Sequence, residues 1–174
     1  MDPEPGATMV AMDVERDFQR VVANLDYPLV IVTVAAAGER SGCLVGFTTQ
    51  CSIHPPRYWV CISKTNHTWR VAMKADAMVV HVPSPDERPL AELFGEETGD
   101  EVDKFSLADW EPGPDGMTPV LSGCGRWFAG HVLEHVDAGD HTSFLIQPFA
   151  ASAGAEEGQL GFQSAQDMRP GHEP

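Results

Sequence analysis

Between Arg40 and Lys74 the chain carries no aspartate or glutamate, yet it carries Arg40, Arg57, Lys64, Arg70 and Lys74. Even spreading would place about five of the 26 acidic residues there. Burial alone would exclude the bases as well, so a basic island in an acidic chain points to an anion site. Within it, Ser63-Lys64-Thr65-Asn66-His67-Thr68 joins a strand-like run to a helix start. Free backbone N–H groups at such a junction, beside hydroxyl, amide and ammonium donors, suit a phosphate. Thr65 or Asn66 would equally cap the helix, since a cap and a phosphate use the same donors. A second segment, Phe47-Thr48-Thr49-Gln50-Cys51-Ser52, is polar where a strand leaves the core. Backbone and hydroxyl groups at such an edge can hold a flat heterocycle with several acceptors, or simply end a strand.

One pattern is a decoy. His131-Val132-Leu133-Glu134-His135 matches the inverted zinc-peptidase spacing. That spacing works on a helix, whereas the run from Trp127 to Val136 alternates and ends in Asp137-Ala138-Gly139-Asp140, which favours a strand. On a strand, positions four apart lie about 13 Å from each other. No metal site is expected. The chain has no G-x-S-x-G, P-loop or G-x-G-x-x-G motif.

The elements that would position these residues belong to a chain of 174 residues, the size of one domain. Eleven basic against 26 acidic residues give a net charge of −15, which argues against nucleic-acid and anionic membrane partners. The acidic start lacks the features of a signal peptide, and the longest apolar run, 27–37, is too short for a span of about 20 residues. A cytoplasmic location is expected. Cys43, Cys51, Cys61 and Cys124 form no C-x-x-C pair and read as reduced thiols.

Residues 1–12 and 153–174 read as flexible ends flanking a domain over 13–152. Asp13 caps a predicted helix with Val14, Phe18, Val21, Val22 and Leu25 on one face, stopped by Pro28. Strands are predicted at 29–35, 43–49, 58–63, 78–82, 126–136 and 141–149. Short helices are expected at 67–74 and 84–93. The stretch 99–119 is turn-rich, with one helical turn at Asp103-Lys104-Phe105. Six strands with small helices predict a mainly β, closed or nearly closed antiparallel barrel.

Taken in order, these segments resemble the flavin reductase family with the split β-barrel, FMN-binding fold. The resemblance runs from about Phe18 to Ala150. It is carried by Tyr27-Pro28, Gly42, Thr48 through Ser52 followed by Pro55-Pro56, Lys64 through Thr68, Asp103-Lys104-Phe105, and Gly139-Asp140-His141. The resemblance implies that Phe47, Thr48, Thr49, Gln50, Cys51 and Ser52 run beside the flavin. It implies that Lys64, Thr65, Asn66, His67 and Thr68 hold its phosphate, and that His141 sits near the nicotinamide. It also implies a six-stranded antiparallel split barrel, a homodimer, and NADH or NADPH as hydride donor to FMN or FAD, with a monooxygenase as possible partner. Many members carry Asn-Ser where this chain has Gly46-Phe47, a departure that bears on flavin affinity and cofactor choice. A non-catalytic flavin or haem carrier, and a redox enzyme using another cofactor, remain as alternatives.

Overall fold

The computed structural model describes residues 5–155 and 158–171. Successive residues of a strand face opposite sides, and the first strand, β1 (Val30–Ala36), is apolar on both. Val30, Val32 and Val34 enter one core cluster, while Leu29 and Ile31 enter another. The sheet therefore lies between two apolar layers. One also contains Cys43, Val60, Met78, Phe144 and Ile146, and the other Phe94, Phe105, Leu121 and Leu160.

Helix α1 (Pro5–Val22) precedes β1. After it come β2 (Glu39–Val45), β3 (Thr48–Ser52), β4 (Arg57–Ser63), α2 (His67–Ala72), β5 (Ala77–His81) and α3 (Arg88–Glu96). A short hairpin of β6 (Trp110–Pro112) and β7 (Pro119–Leu121) leads to β8 (Trp127–Asp137) and β9 (His141–Ser152). The main sheet has seven strands in the order β2-β1-β5-β8-β9-β4-β3, every neighbouring pair antiparallel. Its two edge strands, β2 and β3, are separated only by Gly46 and Phe47. So short a connection between opposite edges requires the sheet to curl until they approach each other.

Seven strands replace the six expected because the 43–49 run is not continuous. It breaks at Gly46-Phe47, where the chain passes from one edge of the sheet to the other. The turn-rich stretch also hides β6 and β7, three-residue strands of which the first ends and the second begins with proline, too short to show alternation. Asp115 builds their turn by accepting from Met117 N, Thr118 N and Thr118 Oγ1, with Gly116 at φ +78°.

Both ends of the chain depart from expectation. Helix α1 begins before Asp13, and Val14, Phe18, Val21 and Leu25 are exposed. The C-terminal segment folds back: Leu160 and Ala165 are buried, Phe162 N donates to Tyr27 O at 2.8 Å, and Gln163 N donates to Asp26 Oδ1 at 2.9 Å. A Cβ at Gly161 would collide with the Asp26 carboxylate, so this close approach requires glycine there. Among the described residues, no helix is long and apolar enough to cross a membrane.

Candidate functional site

The antiparallel pairing of β4 with β9 places Ser63 opposite His141, at the end of the sheet where β3 begins. Cys61 N donates to Phe47 O at 2.9 Å, bringing Phe47 to the same end. Its ring lies 5.2 Å from the His141 imidazole, centroid to centroid. Lys64 N donates to Asp140 O at 2.9 Å, joining the β4–α2 loop to the β8–β9 turn. Phe47, Lys64 and His141, far apart in sequence, thus meet at one end of the sheet.

His141 is oriented by its neighbour. Nδ1 lies 2.8 Å or less from the Asp140 carboxylate (2.7 Å to Oδ1), so Nδ1–H donates and Nε2 is left to face a ligand. The hydrogen bond and charge of His141 hold the Asp140 carboxyl below the usual carboxylate range. The turn itself depends on Gly139, whose φ of +98° suits glycine, and on Asp137 Oδ1 accepting from Gly139 N.

Strand β3 pairs with β4 on one side and is an edge of the sheet on the other. Thr49, Gln50 and Cys51 are exposed, while Thr48 and Ser52 are half-buried. An edge strand presents an unpaired row of alternating backbone donors and acceptors, the donor set a flavin ring system needs. Thr48 Oγ1 donates to Trp59 O at 2.9 Å and fixes the strand rather than reaching outward.

The six residues 63–68 divide. The Lys64 ammonium pairs with Asp137 Oδ2 at 2.9 Å, an exposed bridge that a phosphate could displace at small cost. This pairing and the Gly139 amide lower the Asp137 pKa. Thr65 and Ser63 share a hydroxyl hydrogen bond at 2.9 Å, and Asn66 Oδ1 caps α2 by accepting from Thr68 N. His67 and Thr68 turn away from Lys64. Thr68 is buried, its hydroxyl 2.9 Å from Ser41 Oγ. The His67 ring nitrogens lie 2.8 Å from Glu39 Oε1 and Asp100 Oδ1, and Arg70 also pairs with Asp100. These contacts, with the His67 hydrogen bond foremost, lower the Asp100 pKa. The edge strand and His141 therefore fit a flavin, and a phosphate at Lys64 would have to replace Asp137.

Two rings escaped the sequence analysis as part of this region. Tyr27 lies 6.3 Å from Phe47, and Phe162 lies 6.1 Å from Tyr27. Tyr27 stood beside a recognised strand start, but Phe162 lies in a segment whose composition suggested no packing. His131 and His135 lie on strand β8, with His131 stacked 4.2 Å from Phe149. Cys43, Cys51, Cys61 and Cys124 are free thiols.

Residues 22–168 match the family model described as flavin reductase like domain. A protein of Rhizobium meliloti (strain 1021) named "Probable flavin reductase" is 30% identical over 118 residues, 66% of this chain. The match covers 37% of that relative's length. A ferric-chelate reductase (NAD(P)H) of Archaeoglobus fulgidus is 26% identical over 94% of each chain. Nitrilotriacetate monooxygenase component B from Mycobacterium thermoresistibile shares the fold, with a TM-score of 0.72, 21% identity and 94% of each chain covered. This chain belongs to the flavin reductase like family.

Proposed function

We propose that this protein is an NAD(P)H-dependent flavin reductase acting on FMN or a related flavin. The observation that carries the reading is the meeting of Phe47 and His141 beside the exposed edge strand β3, in a chain of this family. Bound there, the flavin supplies the hydride acceptor. The exposed backbone of Thr49, Gln50 and Cys51 would hold the ring system, Phe47 would pack against it, and Lys64, Thr65 and Asn66 would meet the phosphate. His141, fixed by Asp140, orients the hydride donor through Nε2. The protein's contribution is proximity and orientation rather than a covalent nucleophile.

The finer architecture follows the same reading: a split barrel whose edges meet at Gly46-Phe47, working as a homodimer. The exposed apolar stripe of Val14, Phe18, Val21 and Leu25 is the kind of surface a second copy covers. The likeness to a monooxygenase component supports delivery of reduced flavin to a partner monooxygenase. Steady-state oxidation of NADH and NADPH, measured with and without added FMN, tests the activity. Flavin-dependent turnover supports it, and FMN binding without turnover would make the protein a carrier instead.

A further inference from the structure

Phe47 is 55% exposed and belongs to the two-residue crossing between β2 and β3. Its backbone is pinned by the bond from Cys61 N, but a side chain so open to solvent keeps one rotamer only where neighbouring groups hold it. Two described rings do so. His141 lies 5.2 Å away at an interplanar angle of 58°, and Tyr27 makes an edge-to-face contact at 6.3 Å and 84°. Tyr27 is itself half-buried, and its hydroxyl reaches Val22 O only at a long 3.4 Å. Its second ring contact is Phe162, edge-to-face at 6.1 Å and 68°.

Backbone pairing brings Phe162 there. Pro28 and Gly161 form an antiparallel bridge, Leu29 N donates to Leu160 O at 2.9 Å, and Phe162 N donates to Tyr27 O at 2.8 Å. Leu160 and Ala165 are buried, and Leu160 N donates to Pro83 O at 2.8 Å. Gln163 N bonds Asp26 Oδ1, and its Nε2 bonds the carbonyls of Ala23 and Leu25, each at 2.9 Å. None of these anchors uses the Phe162 ring, which stays 36% exposed. A phenyl group is therefore not what closes the C-terminal segment onto the sheet. Its ring contact among the described residues is the one with Tyr27.

We propose that Phe162 is a positioning residue of the flavin site, acting through Tyr27 to hold the Phe47 ring in the orientation that packs on bound flavin. This rests on the reading that flavin binds beside Phe47. The C-terminal segment thereby serves the site without touching the ligand. Because Phe162 acts only through Phe47, its removal can cost no more affinity than removal of Phe47 itself.

The test is a double-mutant cycle on the full chain, read by flavin fluorescence titration. Phe162→Ala should raise the Kd for FMN about threefold. In a Phe47→Ser background the same substitution should change nothing, since the ring through which it acts is gone. Phe162→Tyr keeps the ring and should restore wild-type affinity. Phe162→Leu keeps apolar volume without a ring and replaces Phe162→Ala in the cycle if a melting curve shows the alanine variant unfolded. An unchanged Kd in the single variant would overturn the proposal. So would an equal rise with and without Phe47, which is what a merely structural role predicts. In the ligand-free protein, the ring-proton NMR resonances of Phe47 and His141 should move in Phe162→Ala, and resonances that stay in place would also overturn it. Wild-type protein that shows this coupling of the rings but binds no FMN would refute the flavin reading instead.

Discussion

Replacing His81 should change how stability depends on pH. His81 is fully buried, its Nδ1 3.1 Å from Ile31 O and its Nε2 accepting from Leu121 N at 3.0 Å. One nitrogen must donate and the other accept, so the folded protein holds the neutral ring. Burial lowers the pKa from 6.5 to about 4. The unfolded chain binds the proton more readily, so the contribution is complete above the unfolded pKa and is lost as pH falls through the folded one. The shift corresponds to about 3 kcal/mol in total, of which about 2 kcal/mol is lost by about pH 5. Replacement with Leu should cost about 2–4 kcal/mol near neutral pH, because Ile31 O and Leu121 N lose their partner. The variant lacks the titrating ring, so its deficit relative to wild type should shrink by about 2 kcal/mol by about pH 5. Urea denaturation of both proteins at the two pH values reads this difference directly. A deficit that stays constant would refute the neutral, hydrogen-bonded assignment of His81.

Other perturbations separate the roles of individual residues. His141→Ala should raise KM for NAD(P)H about tenfold or more while leaving the FMN Kd nearly unchanged, which steady-state kinetics and flavin fluorescence titration would check. Phe47→Ser should remove the ring packed on the flavin and weaken FMN binding by about 1 kcal/mol, measured by the same titration. Gly161→Ala should displace Asp26 and its bond to Gln163 N, costing about 1–2 kcal/mol and raising amide exchange over residues 158–168. Phe18→Glu should place a charge in the exposed stripe of α1 and shift the sedimenting species from dimer to monomer.

Much of the sheet was legible because its strands are long enough to show their pattern. β1, β4, β5 and β9 read directly from β-branched runs and alternation. The break at Gly46-Phe47 did not, since a crossing between sheet edges leaves no periodic trace in two residues. β6 and β7 are too short for alternation to appear. Helix α1 was legible as an amphipathic helix, but its apolar stripe is exposed, and sequence periodicity cannot say what covers a stripe.

The candidate site was legible in its segments and less so in its electrostatics. The acid-free window takes in both the loop at Lys64 and the strand at Thr48. It cannot show that Asp137 reaches Lys64 from 73 residues away, or that Asp100 reaches His67 from 33. These distant acids neutralise part of the basic island, whose first residue, Arg40, lies over the rings of Phe105 and Trp110. Phe162 was missed for a related reason: its neighbours are polar, and a single apolar ring in a tail gives no pattern to read.

The central claim is that flavin bound at β3 accepts hydride from a nicotinamide placed by His141. Its most direct test is a single-turnover, anaerobic mixing of FMN-loaded protein with NADH or NADPH, following the visible flavin band in wild type and in His141→Ala. The account predicts rapid bleaching in the wild type, slowed at subsaturating donor in the variant. FMN that binds but stays oxidised in the wild type, or bleaching that is identical in both proteins, would contradict it.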